Sequence, residues 1–257
     1  MKIYQFLILI FSALTVSNFT SCKVADVKST SEPVSHEQWD SLLKKHVSES
    51  GLVDYNGFKN DSVALSSYLH LLETHHPNEK NWTRNERMAY WINAYNAFTI
   101  KLVTDHYPVK SIKDIKNGIP FVNTVWDIKF INIEGESYDL NNIEHGILRP
   151  KFEDPRIHFA VNCASISCPP LADFAYSAER LDEQLDQSGR RFINDSKRNK
   201  IASANKADLS KIFSWFKGDF TKDQGLITFI NRYSDIPLDE KADISYLDYD
   251  WDINEVQ

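Results

Sequence analysis

Residues 83–106 constrain the fold more than any other stretch of the chain. Thr83 and Glu86, three apart, make a capping-box signal that starts a helix. Pro108 stops it, because proline has no amide hydrogen and clashes with the turn before it. At 100° per residue, Trp91, Tyr95, Phe98 and Leu102 form one apolar face, and Ile92, Ile100 and Val103 form another adjoining it. Only a narrow side near Glu86, Ala97, Lys101 and Thr104 is left for water. A helix apolar over that much of its circumference must lie inside a domain, with other elements packed round it. Asn93 and Asn96 project from the second apolar face, and a buried amide without partners costs about 1–3 kcal/mol, so both must find hydrogen bonds. They either tie down neighbouring loops or line a site.

The surrounding patterns are consistent with such a centre. Ser35 and Gln38 open a helix carrying Trp39, Leu42, Leu43 and Val47, which Gly51 is placed to end. A second helix over 61–75 carries Leu65, Tyr68, Leu69 and Leu72, with Pro77 beyond it. His70, His75 and His76 lie on or near that helix without acidic or thiol partners at ligand spacing, and read as surface residues. After a short helical piece with Ile112 and Ile115 and a turn at Gly118-Ile119-Pro120, residues 124–133 alternate and are β-branched, as a strand would be. Glu134-Gly135-Glu136 returns the chain as a hairpin, and Asn141 caps a brief helix through Leu148. Further helices are expected over 177–193 and 224–233, and strands over 200–202, 209–213 and 244–251. Helices preceding hairpins, without regular βαβ alternation, predict an α+β fold. We expect a single domain over 35–257 with a buried central helix, N-terminal helices and a small antiparallel sheet.

The first 22 residues stand apart. Lys2 is followed by the apolar run Phe6 to Phe11 and then Phe19-Thr20-Ser21-Cys22, the pattern of a lipoprotein signal peptide whose cysteine takes a lipid anchor. The apolar run is too short to span a bilayer, so no transmembrane helix is expected in the mature chain. Lys23 after the cysteine, in place of an aspartate, points to the outer membrane. Residues 23–34 are polar without apolar period, as a flexible tether would be. A net charge of −7 with scattered basic residues argues against nucleic acid as a partner.

Apart from Cys22, the cysteines are Cys163 and Cys168, both within Ile157 to Leu171. Residues 157–161 are short and apolar, a buried strand or the start of a buried helix that delivers Asn162-Cys163. Ala164, Ser165 and Ser167 leave room for a ligand, and backbone amides there could hold an oxyanion. A cysteine at such a junction becomes a nucleophile when a histidine is within reach. If the segment is extended, His158 emerges on the face opposite Cys163, which favours His145 as base. Asn93, Asn96 or Glu144 would then orient the imidazole. Glu144 also has a structural reading, as third residue of a capping box, and Arg149 is the surface neighbour expected to meet His145. Tyr95, Ser165, Cys168, His158 and Arg149 are placed as binding or supporting residues. Two competing readings stay open: a structural Cys163–Cys168 disulfide, and zinc held by the two cysteines and two histidines. The pattern calls for no cofactor and no resident metal.

Three segments carry a resemblance: Ala89-Tyr90-Trp91-Ile92-Asn93-Ala94-Tyr95-Asn96-Ala97, Ile143-Glu144-His145-Gly146-Ile147-Leu148-Arg149, and His158 through Leu171. With Tyr249-Asp250-Trp251 near the end, they resemble the family catalogued as domain of unknown function 547, over roughly 82–254. That family occurs in bacterial secreted proteins and lipoproteins, and in plants beside a leucine-zipper-like region. In plant members the position matching Cys168 is often serine while that matching Cys163 stays cysteine. The resemblance therefore implies that Cys163 is the reactive thiol. It is similar to papain-like thiol hydrolases in this respect, with histidine and cysteine in reversed order. The expected function is a cell-envelope thiol hydrolase or acyltransferase acting on amide bonds. The alternative is a non-catalytic envelope domain that binds a peptide or glycan.

Overall fold

The computed structural model describes residue 24 and residues 27–116 and 124–256. The signal segment with Cys22, and the turn expected at Gly118-Ile119-Pro120, lie outside the described residues. The fold is α+β.

Its centre is helix α4, Arg84–His106, capped by Thr83 with Glu86 closing the capping box. Burial goes further than the helical wheel predicts: Ala97 and Thr104, on the side expected to meet water, are also buried. Helices α1 (Glu37–His46), α2 (Tyr55–Asn60) and α3 (Ser62–Glu73) pack together on one side of α4. Trp39 stacks on Tyr68 at 5.6 Å between ring centres, which joins α1 to α3. The short helix α2 was not anticipated; Asp54 caps it by accepting from the Gly57 amide. Helix α1 ends at His46, and Gly51 instead occupies a turn with φ +77°, where a side chain would collide with Pro170.

The 124–133 strand is mostly something else. Val125–Asp127 is a 3-10 turn, because the Asp127 carboxylate accepts from the backbone and hydroxyl of Thr124, a local bond that competes with a ladder. Only Ile131–Ile133 (β1) is strand, paired antiparallel with Glu136–Tyr138 (β2) through a turn in which Glu134 and Gly135 have positive φ. His76 also departs from expectation: it is buried, with its ring against Trp91 and Nε2 3.0 Å from the Tyr138 hydroxyl. Part of the expected tether is docked. The Ser31 carbonyl accepts from Asn78, from Asn81 and from the Trp82 indole, and Ser31 itself donates to His76 O.

Residues Asn142–Leu148 form a π-helix that packs on α4 and runs directly into α5, Arg149–Phe152. Asn141 makes no side-chain cap; the Asp139 carboxylate takes the Asn142 amide instead. Helix α6, Ile157–Ala160, then marks the seam between two apolar cores. Ile157 and Ala160 belong to the core around α4, while Phe159 belongs to a second core with Phe192, Phe213, Phe220 and Phe229. That second core is closed by α7 (Leu181–Ile193) and three short helices, α8 (Ile212–Trp215), α9 (Lys217–Phe220) and α10 (Leu226–Ile230). Beside it lies a mixed sheet. Strand β3 (Lys200–Ser203) pairs antiparallel with β4 (Lys206–Leu209), and β4 pairs parallel with β5 (Asp243–Tyr246), so the second sheet is not purely antiparallel. From Leu247 the chain crosses back to the first core, making single bridges at Asp252 with Ser111 and at Ile253 with Ser165.

Candidate functional site

The loop after α6 is held by its own side chains. The Asn162 carbonyl oxygen accepts from the Ala164 amide at 2.8 Å, and its Nδ2 donates to Pro169 O at 2.8 Å, closing the loop that contains both cysteines. The returning C-terminal segment clamps the loop from outside, taking the Ile166 amide on Asp252 O and the Ser167 amide on Asp250 O. Ala164 adopts φ +60°, a left-handed conformation at a non-glycine position, of the kind that persists where the surroundings over-determine it.

Asn93 and Asn96 are both consumed in fixing backbone. Asn93 makes a two-way pair with Tyr176, giving Nδ2–H to its carbonyl and accepting its amide. Asn96 does the same across the end of α6, to Ala160 O and from the Asn162 amide, both at 2.9 Å. Neither bonds His145, so of the two roles considered for them the geometry places them as ties for the loops.

A cavity of about 190 Å³ lies on the seam between the two cores. Cys163, Cys168, His145, His158, Glu144 and Tyr95 line it, whereas Asn93, Asn96, Ser165 and Arg149 do not. The aromatic part of the lining, with Ile212, comes from Trp126, Trp215, Phe216, Tyr249 and Trp251. The aromatic rings there are clustered: Tyr249 lies 4.5 Å from Trp251 and 4.7 Å from Trp215, and Trp126 lies 5.6 Å from Trp251. Trp215 is 49% exposed at the rim.

Cys163 is half-buried, and both cysteines are free thiols. Three groups meet its Sγ: Cys168 Sγ at 3.0 Å, Ser165 Oγ at 3.2 Å and the Tyr249 hydroxyl at 3.3 Å. The hydrogen bond from Cys168 is the main influence that brings the Cys163 thiol below its ordinary range; Ser165 and Tyr249 add to it, and burial opposes it. Cys168 is pushed the other way, by burial and then by the neighbouring Cys163 sulfur.

The two histidines occupy different environments. His158 sits on a helix, not an extended strand, so the opposite-face argument that set it aside does not apply. Among the described residues no hydrogen bond joins it to Cys163, and its contacts lie elsewhere. Its Nε2 bonds Asp219 at 2.7 Å, its Nδ1 faces Glu144 at 3.9 Å, and its ring stacks on Phe216 at 3.9 Å. Burial lowers its pKa, partly offset by Asp219. Asp219 also takes Arg149 through Nε at 2.6 Å and Nη2 at 2.9 Å. Burial raises its pKa, but the bonds from His158 and Arg149 outweigh that and hold the carboxyl well below the usual range.

His145 is exposed at the rim and meets Arg149 as expected, with Nη1 3.1 Å from Nδ1. A guanidinium can only donate, so Nδ1 accepts and the ring proton sits on Nε2. Among the described residues no hydrogen bond reaches that Nε2, and none joins His145 to Cys163. His145 in this tautomer offers a donor to the cavity, not the free electron pair of a base. Glu144 closes no capping box: it is buried, and burial is the chief cause that raises its pKa.

Most of the backbone amides expected to hold an oxyanion are taken up by the loop itself. Those of Cys163, Ala164, Ile166, Ser167 and Cys168 are spent on Cys168 Sγ, Asn162 Oδ1, Asp252 O, Asp250 O and Ser165 O, and only the Ser165 amide in this run has no such partner among the described residues. Among the described residues no group of three or more His, Cys, Asp or Glu side chains is placed to hold a metal ion.

Residues 79–193 match the family model described as "Protein of unknown function, DUF547". The match contains all three motif segments and one side of the cavity. It ends before Asp219, Trp215, Tyr249 and Trp251, so the aromatic wall apart from Trp126, and the anchor of His158, come from outside it. No curated protein and no solved structure matches the chain. Asp219 and Trp215 were missed from sequence, because each sits in a short, unremarkable helix remote from the motifs. Tyr249 lay in a segment that was recognised but given no role.

Proposed function

We propose that the seam cavity is a thiol site that cleaves or transfers acyl groups on amide-containing material of the cell envelope. The observation that carries this is the convergence of Cys168 Sγ, Ser165 Oγ and the Tyr249 hydroxyl on Cys163 Sγ at the cavity wall. They prepare a thiolate without a histidine base. The thiolate attacks the carbonyl carbon, and the Nε2–H of His145 polarises the carbonyl oxygen. Water entering through the open mouth supplies the proton to the leaving amine, then cleaves the thioester. A competing amine in place of water gives transfer. The His158–Asp219 pair holds the polar wall rigid. No helix among the described residues is long and apolar enough to cross a membrane. The envelope setting rests on residues 1–22, with a lipid anchor at Cys22 and the outer membrane as the location.

The test is acylation by a p-nitrophenyl ester followed by peptide mapping. The acyl group is expected on Cys163 and absent from Cys163→Ala, and His145→Gln is expected to slow acylation by about 100-fold, as for loss of an oxyanion donor. Acylation spread over lysines, with Cys163 free, would refute the proposal. The aromatic wall favours a second reading, in which Trp215, Tyr249 and Trp251 stack on a sugar or peptide and no bond is cleaved. Binding of an envelope glycan by Cys163→Ala with no acylation of the parent protein would select it.

A further inference from the structure

Acyl transfer leaves Cys168 without a chemical role beyond its hydrogen bond. A serine could supply that bond. The thiol is 3% exposed, with Sγ 3.0 Å from Cys163 Sγ, and it accepts the Cys163 amide at 3.0 Å. Its position is fixed from several directions. Arg198 donates to the Cys168 carbonyl, Asn162 holds Pro169, and Pro170 packs where a Gly51 side chain would be. The two sulfurs are thus held in contact by a clamped loop at the cavity, one half-buried and the other almost fully buried.

We propose that Cys163 and Cys168 form a thiol–disulfide exchange pair that reacts with organic disulfides entering the seam cavity. Cys163 is the attacking sulfur, being the accessible one and the one stabilised as thiolate. It forms a bond to one sulfur of the external disulfide. The S–S bond of that disulfide breaks, and its other half leaves as a thiolate that takes a proton from solvent. Cys168 then attacks Cys163 Sγ, passing its proton to the departing group. The Cys163–Cys168 bond forms, the mixed disulfide breaks, and the second half leaves as a thiol. Two electrons move from the protein dithiol to the external disulfide. Burial of Cys168 makes it a poor first nucleophile and an effective second one, because its target is already in contact.

The exchange shares Cys163 with the acyl-transfer reading, but it requires Cys168 and does not require His145. In the oxidised protein the nucleophile is blocked, so acylation of Cys163 is lost and returns on reduction.

The experiment exposes the reduced full chain to oxidised glutathione, alkylates with iodoacetamide and maps the peptide spanning 157–171. The parent protein is expected to lose both alkylatable thiols and retain no glutathione. Cys168→Ser is expected to retain one glutathione on Cys163, and Cys163→Ser to leave Cys168 unmodified. A parent protein that retains glutathione on Cys163 as stably as Cys168→Ser does would overturn the exchange pair and leave acyl transfer standing. A Cys163 that forms no adduct in either chain would overturn both. The parent measurement decides the matter even if a variant fails to fold.

Discussion

Replacing Asp219 with asparagine tests whether the cavity wall depends on a single carboxylate. Asp219 Oδ2 receives Arg149 Nε at 2.6 Å and His158 Nε2 at 2.7 Å, and Oδ1 receives Arg149 Nη2 at 2.9 Å. The amide of asparagine has one oxygen and one NH2, so whichever way it turns a donor faces a donor. The carboxylate and the guanidinium are each about a third exposed, with side-chain exposures of 28% and 32%, while His158 is at 1%. Full burial of the pair would make its rupture cost about 3–5 kcal/mol, and full exposure about 0–1 kcal/mol. The partial exposure places Asp219→Asn between them, at about 2 kcal/mol. Urea unfolding followed by tryptophan fluorescence at neutral pH should show the midpoint falling by about 1 M, given a slope near 2 kcal/mol per M. The folded pKa of Asp219 is depressed, so its contribution is present above the ordinary value of 3.8 and is lost as pH falls through the folded value. The gap between parent and variant should therefore close on acidification below 3.8. A loss under about 0.5 kcal/mol at neutral pH would refute the reasoning, since it would put the pair in the range of solvent-exposed ion pairs.

Asn96→Leu should cost about 2–4 kcal/mol in the same assay, because the Ala160 carbonyl and Asn162 amide both lose a buried partner; a near-neutral result would show that water replaces it. Gly51→Ala should lower the thermal midpoint by several degrees, since the left-handed backbone and a Cβ placed 2.5 Å from Pro170 Cβ each add strain, and it should also slow Cys163 alkylation by displacing the loop; an unchanged midpoint would contradict both. His158 has its folded pKa lowered by burial from 6.5, so the folded state resists its protonation and stability should decline as pH falls below 6.5. His158→Gln should flatten that part of the profile, and an equally steep decline in the variant would assign it to other groups.

The central helix was legible because its signals are local: a capping box at Thr83 and Glu86, a proline stop, and an apolar pattern around nearly the whole circumference. The inward asparagines followed from the same wheel, although their partners, Tyr176 and Ala160, are far away in sequence and could not. Glu144 was misjudged because the wheel assumes α geometry. The π-helix widens the turn, so a residue read as a cap partner faces Tyr95 instead. The 124–133 stretch has strand composition, but the Asp127–Thr124 capping box bends it first. The candidate site was half visible. Its cysteine and histidine side lies in contiguous motifs, while its aromatic side and Asp219 are brought in by short helices and a returning tail whose positions depend entirely on tertiary packing.

The central claim is that three hydrogen-bonding groups make Cys163 a reactive thiolate at the cavity wall. The direct measurement is the rate of iodoacetamide alkylation at Cys163 as a function of pH, in the parent protein and in Tyr249→Phe. The rate should be half-maximal at a pH below that of a free thiol, and the midpoint should move upward when the Tyr249 hydroxyl is removed. A midpoint at or above that of a free thiol, unmoved in Tyr249→Phe, would contradict the account.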